Sequence, residues 1–426
     1  MSYQRRHRQS DGQLKDVVIQ LRIDHQCPQC GAPAILEETD RLFTCEFCRV
    51  KSFLQEQGYF RYLLPSRAPQ GKSLVWVPYW RFKGMHFSCT EKEVRHRFVD
   101  VSLRAVDLDP FPPSVGLRSQ ALKLKFVTPE SRGLFLKPTV PFANVLKRIE
   151  RRFASQQPEP VVHKAHIGES LSVIYAPFHI DRKLYDGVLN RPIASAMPDN
   201  FDLSKSPEWR RKKGITFLPT LCPHCGWDLE GQRDSLVLHC DNCASVWRPR
   251  KDGFSKLNTA HIPDRGDDVI YLPFWRIKGE IAGVDLNSHA DLVRLANLPK
   301  IVRPAMEKTR FYFWAMAFKV RPQLLLNLSR AVTLAQPNEG LAAGLPSAPL
   351  HPVTLPLKEG VESLKLTVSD LIRPKSRMVE LIPGIKIVPK SFLLIYIPFH
   401  ENHHDLVQPT FNMSINKNML AHARHI

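Results

Sequence analysis

At 426 residues, with 43% hydrophobic and 9% aromatic content, the chain has room for two or three cored domains and is too apolar to be disordered. Its 60 Lys and Arg against 41 Asp and Glu give a formal charge of +19, about +15 once eight thiolates hold two divalent metals, which favours phosphate-bearing, anionic-membrane or acidic-protein partners. No apolar run approaches the ~20 residues of a membrane-spanning helix, and the basic start Met1-Ser2-Tyr3-Gln4-Arg5-Arg6-His7-Arg8 leads into no signal region; a cytoplasmic protein without a transmembrane segment is expected.

In chain order, residues 1–24 read as a basic N-terminal tail. Residues 25–54 carry Cys27, Cys30, Cys45 and Cys48 in the pattern C-x2-C-x14-C-x2-C, and residues 55–190 form a β-rich module. Residues 191–218, with Pro192, Pro198, Pro207 and the run Arg210-Arg211-Lys212-Lys213, read as a linker. The same cysteine spacing returns at Cys222, Cys225, Cys240 and Cys243 within residues 219–250, and residues 251–426 form a second β-rich module. The two frameworks stay in register through Pro78-Tyr79-Trp80-Arg81-Phe82-Lys83-Gly84 and Pro273-Phe274-Trp275-Arg276-Ile277-Lys278-Gly279. The chain is therefore read as a tandem duplication.

One six-residue string occurs four times, twice in each half: Val75-Trp76-Val77-Pro78-Tyr79-Trp80, Ile174-Tyr175-Ala176-Pro177-Phe178-His179, Ile270-Tyr271-Leu272-Pro273-Phe274-Trp275 and Ile395-Tyr396-Ile397-Pro398-Phe399-His400. Its β-branched and aromatic residues predict strands. A mid-strand proline removes a ladder donor, so an edge, bulge or bend is expected there. The two strings lie 99 residues apart in the first half and 125 in the second, an insertion of about 26 that the Pro, Gly and Ala content places at residues 336–360 as a surface loop. Between the strings, Phe142, Val145, Leu146, Ile149 and Phe153 recur at helical spacing after Thr139 and Pro141, with Lys147, Arg148, Arg151 and Arg152 on the other faces. Residues 324–334 read as the equivalent helix, and residues 121–127 and 315–320 as equivalent strands with Lys125 and Lys319 in matching places. The expected fold class is α+β and β-rich: a four-cysteine zinc ribbon plus a mostly antiparallel sheet with a covering helix, duplicated in tandem.

Two C-x2-C knuckles joined by a short loop supply the tetrahedral thiolate set that zinc favours, so two Zn2+ are the expected cofactors. Gly31 and Gly226 follow the first knuckle of each set, where a tight turn is needed. The same ligands suit iron in a rubredoxin-like site, which stays as the alternative. With every position filled by cysteine no place is left for a catalytic water, and these read as structural sites in a protein that is not an enzyme. Cys89, the ninth cysteine, reads as a small residue on a strand.

Arg81 and Lys83 alternate with Trp80 and Phe82, as Arg276 and Lys278 do with Trp275 and Ile277. Period two puts the cations on one face and the apolar groups on the other. That pattern is either a basic strip for a phosphate backbone or an ordinary strand with one solvated face. His400, His403 and His404 with Glu401 and Asp405 read as a solvated turn, with a second metal site as the alternative. Gly71-Lys72-Ser73 lacks the upstream glycine of a phosphate loop.

The C-P-x-C-G ribbons with their Pro-aromatic-Trp strands, residues 27–84 and 222–279, resemble those of a loose group of bacterial proteins with TFIIB-type or rubredoxin-type zinc ribbons. The resemblance implies an adaptor role, because some members work with phage-shock-type and flotillin-like partners at stressed membranes. Many of those relatives carry membrane-spanning segments, a feature not found in this sequence. The leading expectation is a non-catalytic zinc-bound adaptor or scaffold that binds a protein partner through its duplicated sheet modules, with peripheral membrane association in view. The alternatives are a nucleic-acid-binding protein that uses the ribbons and basic strands, and an iron electron carrier.

Overall fold

The computed structural model describes residues 21–56, 58–154, 160–193, 203, 207–209 and 215–423. The basic tail through residue 20 and the run at 210–213 lie outside them. The protein is α+β, and its frame is two long antiparallel strand pairs, one per half. Val75–Cys89 pairs with His163–Asp181 in the first, and Val269–Ala282 with Lys386–Asn402 in the second. The four repeated strings are the centres of these strands, and they pair in one register: Pro78 opposes Tyr175 as Pro273 opposes Tyr396, and Trp76 opposes Pro177 as Tyr271 opposes Pro398.

Each pair is flanked alike. Val94–Arg104 in the first half and Phe313–Met316 in the second lie antiparallel to the earlier strand, while Phe60–Leu63 and Thr259–His261 lie parallel to the later one. The prolines neither bend the ladder nor mark an edge. Pro78 and Pro273 sit where the flanking strand departs, and their carbonyls accept the N–H of Ala105 (2.9 Å) and Ala317 (3.2 Å). Pro177 and Pro398 fall in the gap between two neighbouring strands, with Gly187 N–H and Gln408 Nε2 (both 2.8 Å) donating to their carbonyls. In every case the missing donor belongs to a position with no ladder partner on that side. The register break comes further along, at 167–170 in the first half and opposite Lys278 and Gly279 in the second.

The helix over Phe142–Ala154 forms as the spacing predicts, with Val145 and Ile149 buried. Its counterpart is Leu357–Leu371 and not the helix at 322–335. Trp80 Nε1 donates to Val140 O (2.8 Å) and Trp275 Nε1 to Leu355 O (3.1 Å), each two residues ahead of its helix. Likewise Phe313–Met316 matches the end of Val94–Arg104, while Lys123–Phe126 lies elsewhere, between Phe60–Leu63 and Arg22–Gln26. Lys125 and Lys319 are therefore not equivalent. The extra length is also distributed: His289–Leu295, Pro304–Lys308 and Pro322–Ala335 are added in the second half, and residues 336–360 end in buried Val353 and Leu355 and the start of a core helix. Sequence periodicity could not separate the two candidate helices, because both carry an apolar stripe.

The ribbons and halves are packed together. Thr216–Pro219, at the end of the stretch read as a linker, pairs with Lys51–Gln55 of the first ribbon. Leu42, Phe53 and Leu218 then share a core with Leu229, Leu238 and Trp247 of the second ribbon. Ion pairs Lys51–Glu230 and Arg233–Asp40 join the same two units. Further along, Met85, Phe87, Cys89, Ala165 and Ile167 of the first half enter the core of the second. The matching residues of the second half, Glu280, Ala282, Lys386 and Val388, are exposed. The repeat thus stacks one way, and the corresponding end of the second half is left exposed.

Candidate metal centres and the charged interior

Each ribbon brings four cysteine sulfurs within 4.8 Å of one another. In the first, Cys27–Cys48 and Cys30–Cys45 Sγ separations are 3.7 and 3.6 Å; in the second, Cys222–Cys243 and Cys225–Cys240 are 3.7 and 3.4 Å. A tetrahedron with metal–sulfur bonds of ~2.3 Å has edges of about 3.8 Å, so the donor sets fit a four-thiolate metal. The knuckles are built identically. Gly31 (φ 73°) and Gly226 (φ 74°) turn the chain so that their N–H groups return to Cys27 O and Cys222 O, each at 2.9 Å. In the second knuckles Arg49 and Ala244 take the left-handed conformation.

Within each set the thiols divide: burial and neighbouring sulfurs push Cys48 and Cys240 up to about 12, while backbone N–H groups favour the thiolate at a partner. The Cys48 N–H lowers Cys45 to about 6; burial raises Cys222, but the N–H groups of Cys225 and His224 bring it down to about 6. Outside the shell, Phe47 and Trp227 on the knuckles are 68% and 60% exposed, and Leu221 and Val50 are exposed as well.

Of the four cations read either as a basic strip or as one solvated strand face, Arg81 is withdrawn from the surface and the other three are partly buried. Arg81 is 1% exposed, with Nη2 3.3 Å from Glu38 Oε2 and Nη1 bonded to Asp100. Burial works against its charge, but Glu38 and Asp100 outweigh that and raise its pKa. Lys83 is half-buried and its pKa is lowered by burial. Arg276 lies 4.7 Å over the Tyr312 ring, and Lys278 is half-buried. The alternation itself holds, since Trp80 and Phe82 pack on Phe142, each with centroids 5.7 Å apart. The polar face is covered because Glu38, just past a ribbon strand, reaches it. Sequence reading missed Glu38 and Asp100; the one hint was Asp100, the single acid in a strand otherwise rich in cations.

His400, His403 and His404 lie at an exposed hairpin turn, His400 Nε2 3.1 Å from Asp264, and among the described residues only the cysteine sets gather three or more metal-ligand groups. Cys89 is buried at the end of its strand. Among the described residues no helix is long and apolar enough to cross a membrane. The chain matches no protein-family model, no curated protein and no solved structure.

Proposed function

We propose that the protein is a non-catalytic scaffold, stapled by one Zn2+ per ribbon, that holds a protein partner on the joined ribbons. The observation that carries this reading is the combination of closed four-cysteine shells with exposed Phe47, Val50, Leu221 and Trp227 around them. A closed shell leaves the metal no substrate position, and large apolar groups left exposed on both ribbons are a candidate interaction surface. Cytoplasmic residence and peripheral membrane association belong to the same reading.

The test is affinity capture from the native cell with the intact protein and with a Phe47→Ser/Trp227→Ser variant. A stoichiometric partner recovered by the first and lost by the second supports the reading; equal recovery by both removes the ribbon surface from it. The nucleic-acid alternative loses the Arg81 strip but keeps Lys123 and Lys125 beside the aromatic ring of Phe126, on a groove of about 1300 Å³ next to the first ribbon. A gel shift that weakens steeply with salt would favour it. Iron in place of zinc would colour the protein red.

A further inference from the structure

A second groove, of about 680 Å³, runs between the two halves, a size typical of binding clefts. Phe142 and Leu146 of the first-half helix form one wall, and Lys358, Val361 and Lys365 of the second-half helix form the other. Its floor is the start of the strand His163–Asp181, where His163, Lys164, Ala165 and His166 all line the groove. Successive strand residues point to opposite faces, so one groove meets four in a row only along the strand's edge.

That edge is open. The strand pairs with Val75–Cys89 on one side, but on the other its described partners cover only 172–175 and 178–181. The open stretch ends at the register break, where the Gly168 and Glu169 N–H groups both donate to the Glu359 carboxylate. Unpaired edge groups are a template for another strand.

Charge adds a preference. Lys164 pairs with Glu150, and Lys358 with Glu169 and Glu362. Lys365 is half-buried and has no ion pair among the described residues. Close by, His163 Nε2 is buried without a hydrogen-bond partner. Burial holds His163 down to about 4, with the Lys365 charge adding to the effect. A carboxylate placed in the groove would compensate Lys365.

We propose that this groove takes an extended acidic peptide segment of a partner protein as an added strand. Its backbone would pair with residues 163–167, its apolar side chains rest on Phe142, Leu146 and Val361, and one carboxylate meet Lys365. The proposal rests on the partner-binding reading above and gives it a second, separate surface.

The probes are short fluorescein-labelled peptides of alternating Val and Thr with one central Asp or, as control, one central Lys. They are titrated by anisotropy against the metal-loaded full chain, with hydrogen exchange read on the complex. The Asp peptide should bind at least about tenfold more tightly than the Lys peptide and protect the amides of residues 163–167, with Lys365→Gln removing the preference and Lys365→Arg restoring it. No binding at millimolar peptide, equal binding of the two peptides, or protection elsewhere would overturn the proposal. The Phe47→Ser/Trp227→Ser variant should bind the Asp peptide normally. A silent groove beside an intact ribbon-dependent capture sinks this inference alone, and the converse sinks only the ribbon surface.

Discussion

Arg81 Nη2 lies 3.3 Å from Glu38 Oε2, in an interior formed where the first ribbon meets the first sheet. A cation buried this deeply is held by its acids, and removing it leaves Glu38 buried and uncompensated. Arg81→Gln should therefore cost about 3–5 kcal/mol, read as a lower urea midpoint with unchanged slope. A loss below about 1 kcal/mol would mean that the pair is solvated.

The two register breaks place a glycine at equivalent positions, and their surroundings differ. A Cβ on Gly84 would lie 3.1 Å from the Glu169 Cα, whereas on Gly279 it would meet the Ile387 side chain at 3.1 Å. Backbone yields less readily than a side-chain methyl. Gly84→Ala should be the more destabilising, by roughly 1–3 kcal/mol, and Gly279→Ala the milder; thermal unfolding of the pair checks the order.

Three imidazoles, His86, His163 and His351, are each pushed down to about 4, burial being the largest cause. Folded values below the unfolded 6.5 mean that their stability is present above pH 6.5 and is lost as pH falls through 4. For His351 the loss amounts to roughly 3 kcal/mol. Glu359 acts in the opposite sense: burial raises it to about 7, Lys319 opposing and Glu169 adding. Its contribution is present below the unfolded 4.5 and is lost as pH rises through 7. Urea midpoints against pH should fall less steeply on acidification for His351→Phe and more steeply for Glu359→Gln.

Leu42 and Phe53 of the first ribbon share a core with Cys222, Cys240 and Trp247 of the second, so damage to one metal site should be felt in the other ribbon. Cys225→Ser, at an exposed ligand, should speed hydrogen exchange in Thr216–Pro219 and Lys51–Gln55 while leaving the exchange of Val269–Ala282 near that of the intact protein. Unchanged exchange in both ribbon strands would show that the ribbons are independent.

The cysteine frameworks, the duplication and the four proline-aromatic strands are legible in the sequence because spacing and composition alone define them. The helix at 142–154 is legible for the same reason. The helix equivalence is not: 322–335 and 357–371 have similar stripes, and only the Trp80 and Trp275 hydrogen bonds to Val140 and Leu355 tell them apart. The face of Arg81 and Lys83 is read correctly as polar but not as buried, because its cover comes from Glu38, distant in sequence, and Asp100 on the neighbouring strand. Periodicity reports which side chains share a face and is silent on what packs against it.

The central claim is that each ribbon is a structural four-thiolate metal site. Elemental analysis of the purified chain tests it most directly. The account predicts two zinc per chain, falling to one in Cys225→Ser. Iron at either site, or a chain that folds with less than one metal, would contradict it.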